Sequence, residues 1–481
     1  MSRLTRVLAP LALLAASACA IGPSTKVHPA SEPAVTPAPR PAAERQYFDS
    51  LTRSSTSIAA QPSPVLDTTA GVGWIEVLRD TTVVNLVRSA LTNNRTLQVA
   101  TGRVREYRAL YGVSRADLFP QLTANGSASR SQATFGPTSF LFSQVRATAD
   151  MAWELDFWGR LRRQGEAGHF DYIGREEDRQ SIVISLVSSV VNAYLDVRSM
   201  DENLRIAQQT LASRDSTLAL ARRRFGQGLI SELDVRQFEA QVAGPAGNVA
   251  QFTRLRAEAE NRLNVLMGKA PGPVPRGDSL MTIVRQVSVP DSVPSSLLAR
   301  RPDVVSAQSD YSAALARVGV AQGARLPRVA ITGSYGYSRP DFNDLFKNDA
   351  EIYTIQAGIS LPLFTGGRLV NQQRAASARA DQARARFEQS VLTALQEASD
   401  ALTDLRLSRD ELAAQESQTR ALRRALVLAL QRYNNGVSSY FEVLDAQRGV
   451  FAAELGLVQA QRNFLGATVQ LYKALGGVWV Q

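Results

Sequence analysis

Cys19 is the residue whose position most clearly indicates chemistry, and it is the only cysteine among 481 residues. It follows Arg3, Arg6 and an apolar run from Val7 to Ala16. A basic start, an apolar run of about ten residues and small residues before a cleavage point are typical of a signal peptide. The arrangement resembles a bacterial lipobox, in which the cysteine becomes the acylated, for example palmitoylated, first residue of the mature chain. Simple cleavage without lipidation is the alternative.

Side chains for catalysis or metal binding are scarce in the rest of the sequence. One cysteine and two histidines, His28 and His169, predict no metal site. The sequence contains no P-loop and no Gly-x-Ser-x-Gly motif, and Gly366-Gly367-Arg368 lacks the Lys-Ser/Thr pair of a phosphate loop. The neighbouring acids Glu176 to Asp178 are typical of a solvated helix face. We therefore predict that the protein is not an enzyme and carries no cofactor other than the lipid on Cys19.

The remaining candidate polar groups lie on a long alternating segment. From Val145 to Phe157, apolar residues alternate with polar ones over thirteen positions, whereas strands of soluble proteins usually run about five or six residues. This pattern predicts a tilted strand of a transmembrane barrel, with a long hairpin on a soluble core as the alternative. In the barrel interpretation, Asp150 and Glu154 of this segment are candidate lumen-facing residues, together with Gln356 of a second alternating segment later in the chain. Glu154 and Asp156 could instead cap the junction between strand and helix.

The second half of the chain repeats the first. Matches at a spacing of 207 residues are Pro120/Pro327, Gly126/Gly333, Ser127/Ser334, Phe157/Phe364 and Gly159/Gly366, and matches at 208 are Arg224/Arg432, Phe225/Tyr433, Gly228/Gly436 and Val235/Val443. Each half reads as helix, two strands, long helix, turn and helix. Four strands cannot close a barrel, and open strand edges are not tolerated in lipid. Three chains would supply twelve strands, an even number within the known range.

Two long helical segments, Leu161 to Phe225 and Leu369 to Tyr433, are 65 residues each. A helix of that length spans roughly 100 Å, which is typical of coiled-coil assemblies. Each ends at a Gly- or Asn-rich turn, which predicts a reversal into an antiparallel partner helix. Ser231, and Ser438 or Ser439, are predicted caps of the helices that follow, with Asp234 or Glu442 three or so residues further on. Pro245 predicts a kink in the first of those helices.

These features divide the chain into ten segments. They are a signal peptide (1–18), a lipidated tether (19–73), a helix (74–118), a first β-hairpin (119–158), a first long helical hairpin (159–267), an irregular equatorial segment (268–296), a helix (297–326), a second β-hairpin (327–365), a second long helical hairpin (366–476) and a tail (477–481). The predicted fold class is a mixed α/β membrane protein with an internal duplication. It combines a helical coiled-coil barrel with four strands per chain. The formal net charge is +10, but most arginines alternate with acidic and amide residues along helical stretches. This pattern is typical of solvated helix faces and does not favour nucleic-acid binding.

Four motifs together resemble the TolC-like outer-membrane factors, in particular the lipoprotein branch found in tripartite (RND-type) efflux systems. They are "CAIGP" at Cys19 to Pro23, the segment Leu297 to Val329 around Arg300-Arg301-Pro302-Asp303, "SLPLFTGGR" at Ser360 to Arg368, and "RYNNGVSSYFEVLDAQR" at Arg432 to Arg448. The resemblance covers roughly residues 19 to 477. No single motif is specific, but their combination is.

The resemblance implies a homotrimer whose twelve-stranded barrel crosses the outer membrane and whose helices form a tube in the periplasm. It implies a lipid-anchored channel that gives passive exit to small molecules such as drugs or other toxic compounds. A periplasmic adaptor and an inner-membrane transporter would be its partners. A type I protein-secretion conduit, and a non-conducting periplasmic coiled-coil scaffold, are the alternatives. Arg300 and Arg301 could pair with neighbouring subunits.

The resemblance also implies where the functional residues lie. The two turns are expected to dock the adaptor, through Gly226, Gly228, Leu229, Ser231, Asn435, Gly436, Val437 and Ser439. Arg424, Val427 and Gln431 are the candidate pore constriction. Some relatives carry a ring of aspartates at the positions of Val427 and Leu430, so an acidic gate is not expected here.

Overall fold

The computed structural model describes residues 21–26, 79–287, 299–347 and 349–477. The signal peptide, Cys19, most of the tether and residues 478–481 lie outside the described residues. The chain divides into two units. The strand unit contains residues 101–178 and 305–390 together with the described residues 21–26. The helical unit contains the described parts of 79–100, 179–304 and 391–477.

Helices and strands follow one another in the same order in both halves of the chain. The elements are α1 (Thr81–Asn93), α2 (Arg95–Ala116), β1 (Gln121–Phe135), β2 (Thr138–Leu155), α3 (Arg160–Gly226), α4 (Glu232–Leu266), α5 (Leu280–Gln286), α6 (Pro302–Gly323), β3 (Arg328–Arg339), a 3-10 turn (Phe342–Asp344), β4 (Glu351–Ser360), α7 (Arg368–Asn434) and α8 (Tyr440–Ala474). The duplication inferred from the sequence is therefore present in the structure.

Two elements differ from the sequence-based expectations. The helix expected over 74–118 is two helices, because Asn94 caps α2 by accepting a hydrogen bond from the Leu97 amide at 3.0 Å. The segment expected to be irregular contains α5, which begins after Ser279 accepts a hydrogen bond from the Thr282 amide. Helix α4 runs from Glu232 to Leu266 with Pro245 inside it, where the sequence predicts a kink.

The structure also corrects the spacing of the repeat. Helices α3 and α7 are both 67 residues long, α4 and α8 are both 35, and each member of a pair starts 208 residues after its counterpart. Gly159 therefore corresponds to Gly367, and not to Gly366 as the sequence comparison suggested. Gly159 (φ 75°) and Gly367 (φ 81°) both stand directly before the first residue of the long helix, in a left-handed conformation that suits glycine.

The four strands form one antiparallel sheet in the order β1-β2-β3-β4. They are 15, 18, 12 and 10 residues long, well above the usual length in soluble proteins of about five or six. One face carries apolar side chains that are 75–79% exposed, namely Leu122, Tyr353, Ile355 and Ile359. The face shared by Asp150, Thr123 and Ser334 is polar, since these three residues lie opposite one another on neighbouring strands. This division suits a sheet with lipid on one side.

Helix α3 supplies the centre of the helical unit. By length and composition α3 could cross a membrane, but 61% of its most apolar 18-residue stretch is buried inside the protein. Val187, Val190 and Tyr194 have no exposed surface. The Tyr194 hydroxyl donates to the buried carboxylate of Asp80 at 2.9 Å and accepts from the Gly277 amide at 2.8 Å. Burial and the neighbouring Asp80 charge raise the pKa of Tyr194, so the phenol stays protonated and continues to donate.

Arg301 ties three helices together within the helical unit. Its guanidinium donates to the Asp303 carboxylate at 2.7 Å, to the Glu397 carboxylate of α7 at 2.6 Å and to the Ala474 carbonyl at the end of α8 at 2.8 Å. Arg301 is only 5% exposed, while the Asp303 and Glu397 side chains are 46% and 41% exposed, so the guanidinium is buried and the carboxylates remain partly in water. Burial opposes ionisation of Asp303, but the bonds and charge of Arg301 outweigh it and lower the pKa of that carboxyl. The expected role of Arg301 in pairing with another subunit is therefore replaced by pairing within the chain.

We predict that Arg301→Met lowers the free energy of unfolding by about 3 kcal/mol, because it leaves two partly buried carboxylates and a carbonyl without their shared donor. Arg301→Lys should cost less, since lysine keeps the charge but loses the planar fork. Chemical unfolding followed by circular dichroism in detergent would measure the difference. Arg300→Met is the matched control, because Arg300 is exposed. Equal losses for both methionine variants would contradict the role of Arg301.

Candidate functional site

The first turn between long helices follows the last residue of α3, Gly226. The Gly228 amide donates to the Phe225 carbonyl at 2.8 Å, and the Leu229 amide donates to the Arg224 carbonyl at 2.9 Å. Gly228 adopts φ 73°, a left-handed conformation that other residues adopt only with strain. This pair of hydrogen bonds around a left-handed glycine is the Schellman motif, which satisfies the last carbonyls of a helix.

The second turn has the same backbone geometry. The Gly436 amide donates to the Tyr433 carbonyl at 3.0 Å, the Val437 amide donates to the Arg432 carbonyl at 2.9 Å, and Gly436 adopts φ 72°. Gly436 lies 208 residues after Gly228. The eight residues expected to dock an adaptor therefore lie in two equivalent turns, each between a 67-residue and a 35-residue helix.

The two turns are capped differently. Ser231 and Asp234 form a full capping box, in which the Ser231 hydroxyl accepts from the Asp234 amide at 3.2 Å while the Asp234 carboxylate accepts from the Ser231 amide at 2.9 Å. Hydrogen bonds from the Ser231 side chain and amide lower the pKa of Asp234. Ser439 occupies the equivalent position but makes no side-chain capping bond, and Glu442 lies 3.4 Å from Arg432 in an ion pair. The expected cap by Ser438 or Ser439 is therefore wrong, because neither side chain makes a capping hydrogen bond and Glu442 pairs with the preceding helix.

Aromatic and charged side chains connect the two turns inside the helical unit. Arg224 donates to the Tyr433 hydroxyl at 2.8 Å. The Tyr440 ring lies 5.2 Å from that of Tyr433 and 4.7 Å from that of Phe238, measured between centroids. These residues border a cavity of about 470 Å³, whose apolar lining includes Leu220, Ile230, Leu430 and Leu444. Burial raises the pKa of Tyr440, so its hydroxyl stays neutral at physiological pH.

Each turn also exposes two large apolar side chains. Leu229 and Leu233 are 68% and 66% exposed, and their counterparts Val437 and Phe441 are 66% and 70% exposed. Large apolar side chains grouped at one exposed site are a feature of contact surfaces. The sequence comparison named Leu229 and Val437 but missed Leu233 and Phe441. A signal was present, since both missed residues stand two positions after the serine that precedes each returning helix.

The candidate constriction residues lie on the final part of α7, before the second turn. Arg424, Val427 and Gln431 are all exposed, and their spacing of three and four residues puts them on one face of the helix. The neighbouring Arg423 points to α8, where it pairs with Glu454 at 2.7 Å. Arg424 and Arg423 therefore occupy different surroundings although they are adjacent in sequence.

The candidate lumen residues on the strands divide into two groups. Asp150 and Gln356 line the same depression on the polar face of the sheet, and Asn125 donates to Asp150 at 2.6 Å. Glu154 instead pairs with Arg160 at the start of α3, at 2.8 Å. Asp156 accepts from the amides of the first turn of α3, which is the capping role that was the alternative for Asp156.

The lipid-anchor residue, Cys19, lies outside the described residues, but Ile21 and Gly22 are described. The Ile21 amide donates to the Trp158 carbonyl at 3.1 Å, and Arg163 donates to the Ile21 carbonyl at 3.4 Å. A Cβ added to Gly22 would lie 2.7 Å from the Cα of Gly319, so only glycine allows this approach of the two backbones. The segment that follows Cys19 is thus held where β2 passes into α3. Within the described part of the chain, no cluster of three potential metal ligands occurs.

Comparison with known proteins adds to this geometry. A family model described as "Outer membrane efflux protein" matches residues 86–269 and 293–477, once for each half of the duplication. The chain is 35% identical over 409 residues to the solvent efflux pump outer membrane protein SrpC of Pseudomonas putida. The aligned region covers 84% of this chain and 87% of SrpC. It is 30% identical over 416 residues to the cation efflux system protein CusC of Escherichia coli, and this alignment covers 86% of this chain and 90% of CusC. The solved structure of the outer-membrane channel OprN superposes with a TM-score of 0.80 at 28% identity, covering 96% of this chain and all (100%) of that chain.

The different caps lead to a prediction about local stability. Ser231→Ala removes the hydroxyl that accepts from the Asp234 amide, and such caps contribute ~1 kcal/mol. Amides in the first turn of α4 should therefore exchange with solvent about fivefold faster. Ser439→Ala is the matched control and should leave exchange in the first turn of α8 nearly unchanged. Hydrogen exchange followed by mass spectrometry measures both, and equal acceleration in the two turns would show that the caps do not differ.

Proposed function

This chain belongs to the outer membrane efflux protein family, and from that membership we propose that it is the outer-membrane channel of a tripartite efflux pump. In this proposal small toxic molecules leave passively through the channel, while an inner-membrane transporter supplies the energy and a periplasmic adaptor connects the two. The observation that carries the proposal is the joining of four unusually long strands to two 67-residue helices within one chain. A sheet with an exposed apolar face suits lipid, and a helix of 67 residues is roughly 100 Å long.

We propose that three copies assemble into one channel. Support comes from the strand count, because four strands leave two edges and three copies give a closed barrel of twelve. The channel would lie in the outer membrane, with its long helices extending into the periplasm. Exposed Leu229, Leu233, Val437 and Phe441 at the two turns support an adaptor contact at the opposite end of the long helices.

We propose further that acylation of Cys19 anchors each copy. The hydrogen bonds of Ile21 support this, because they hold the start of the mature chain beside the end of β2, where a membrane-embedded sheet leaves the bilayer. Two or three acyl chains on one residue bind a membrane far more firmly than a single chain does.

The channel proposal is tested by conductance and by efflux. The purified trimer should give stepwise conductance in planar bilayers, and the gene should restore resistance to organic solvents in a strain that lacks its own channel but keeps the pump and adaptor. A correctly folded trimer that never conducts would indicate a scaffold instead. Secretion of a protein substrate without any gain of solvent resistance would favour the type I conduit.

We predict that Gly228→Val and Gly436→Val abolish efflux while leaving the trimer and its membrane insertion intact. Valine is strained at φ values near +73° and +72°, so each turn must rearrange. Gly247→Val is the control, because Gly247 is exposed in α4 and an added Cβ meets nothing within 4 Å. Minimum inhibitory concentrations and native gels report the two properties separately. Loss of the trimer in the turn variants would mean that the turns act only in folding.

We predict that Cys19→Ala prevents incorporation of labelled palmitate and shifts the mass of the mature chain accordingly. The barrel should still hold part of the protein in the membrane, so extraction by mild detergent should become easier rather than complete. Mass spectrometry of the N-terminal peptide from the unaltered protein provides the control. A wild-type peptide that begins at residue 19 without acyl chains would refute the lipid anchor.

A further inference from the structure

The cavity of about 470 Å³ between the two turns lies entirely within the helical unit. Its volume falls within the range of about 300–1,000 Å³ that is usual for small-molecule sites. The rings of Phe238 and Tyr440 lie on its wall with their centroids 4.7 Å apart, beside apolar side chains such as Leu220 and Leu444. Such a wall favours an aromatic ligand, because rings pack well against one another in offset and edge-to-face arrangements.

Two arginines meet at the part of the cavity wall that Gln241 forms. The side-chain oxygen of Gln241 accepts a hydrogen bond from Arg214 of α3 at 2.5 Å and another from Arg448 of α8 at 3.3 Å. Among the described residues, no carboxylate forms an ion pair with either arginine. Because an amide oxygen carries no net charge, two positive charges converge here without a negative partner.

Arg214 is the unusual member of this pair, because it is buried. It is only 7% exposed, and its Nε has no hydrogen-bond partner in the described part of the chain. Burial lowers the pKa of the Arg214 guanidinium, and the positive charge of Arg448 acts in the same direction. A buried guanidinium is costly unless an anion pairs with it. The position therefore has both the uncompensated charge and the free donor that an anion requires.

The duplication shows that the packing of these helices does not need a charge at this position. At the repeat spacing of 208 residues, Leu422 takes the place of Arg214. Gly449 takes the place of Gln241 in the same way, and a Cβ added to Gly449 would lie 3.4 Å from the Leu422 side chain. The second half therefore packs the equivalent pair of helices through an apolar contact, whereas the first half has a cationic group there.

From these observations we infer that the cavity is a binding site for an aromatic carboxylate. The rings of the ligand lie against Phe238 and Tyr440, and its carboxylate accepts hydrogen bonds from Arg214 and Arg448. The two oxygens of a carboxylate match the planar donors of a guanidinium, which makes this pairing both strong and oriented.

The other charged groups on the cavity wall, Arg224 and Asp234, lie near the turns and have partners. Arg224 donates to the Tyr433 hydroxyl at 2.8 Å, and the Asp234 carboxylate accepts from the Ser231 amide at 2.9 Å. Asp234 precedes Gln241 by seven residues, which is roughly 10 Å along α4. The negative charge of Asp234 is therefore remote from the arginine pair, and the carboxylate end of the ligand is directed away from the turns.

Binding of 1-naphthoate to the full-length protein in lipid nanodiscs tests this site, which does not depend on the channel proposal. Isothermal titration calorimetry should show saturable binding of one naphthoate per chain, after subtraction of the signal from empty nanodiscs. Naphthalene-1-methanol has the same rings without the charge, and acetate has the charge without the rings. Each should bind at least about tenfold more weakly, because each makes only part of the contacts.

Arg214→Met removes the charge and keeps an unbranched side chain. It should weaken naphthoate binding at least about tenfold and leave naphthalene-1-methanol binding unchanged, because charge-assisted hydrogen bonds form with the anion alone. Arg254→Met is the matched control, since Arg254 is exposed on α4 and pairs with Glu258 of the same helix. It should bind both ligands as the unaltered protein does. Leu220→Phe should weaken both ligands, because the added ring occupies the cavity.

Arg448→Met changes an exposed residue and keeps the test open if Arg214→Met does not fold. It should weaken naphthoate binding several-fold. Absence of saturable naphthoate binding, or equal affinity of the unaltered protein for naphthoate and naphthalene-1-methanol, would overturn the inference. Undiminished naphthoate binding by folded Arg214→Met protein would also overturn it, because Arg214 would then serve only in packing.

Discussion

A backbone amide or carbonyl in hydrocarbon has no water to bond, and this constraint determines the architecture of the chain. Each half contributes a hairpin of strands, and the two hairpins join through β2 and β3. That joining satisfies the inner edges but leaves β1 and β4 open. Because an open edge is not tolerated in lipid, the two free edges are the main support for the proposed assembly of copies. The pairing of β2 with β3 within one chain is the same kind of contact that the proposed assembly would make between chains.

Equal helices follow from the same repeated plan. Strands β2 and β4 end at the same edge of the sheet, so α3 and α7 start at equivalent places in the two halves. Both helices are 67 residues long. The turns that follow them therefore also occupy equivalent places in the two halves. Their internal packing is less symmetric. Tyr194 of α3 is anchored by a buried carboxylate, whereas Glu397 of α7 is held by the guanidinium of Arg301. Each half therefore uses its own polar contacts to fix helices that have the same length.

Much of this fold could be predicted from the sequence, because alternation over thirteen residues and glycines at fixed spacing report on periodicity and backbone conformation. The remaining features depend on contacts that periodicity does not encode. Asn94 ends α1 and caps α2 while also donating to the Leu266 carbonyl, a residue far away in sequence. The repeat spacing at the start of the long helices is 208 residues and not 207. The sequence did not reveal this, because Gly366 and Gly367 are adjacent and either could match Gly159. Arg301 was expected at a subunit contact, since nothing local reveals Glu397 as its partner.

The two turns show how identical backbone geometry can be held by different forces. Short-range hydrogen bonds of Ser231 and Asp234 hold the first turn, and they do not depend on a second helix. The second turn keeps the same backbone hydrogen bonds but has the ion pair of Arg432 with Glu442 in place of the cap, and those side chains are 56% and 49% exposed. Exposed ion pairs contribute little and are screened by salt, whereas a cap acts at any ionic strength. The bond from Arg224 to Tyr433 connects the two turns, so the turn without a side-chain cap is also joined to the capped one.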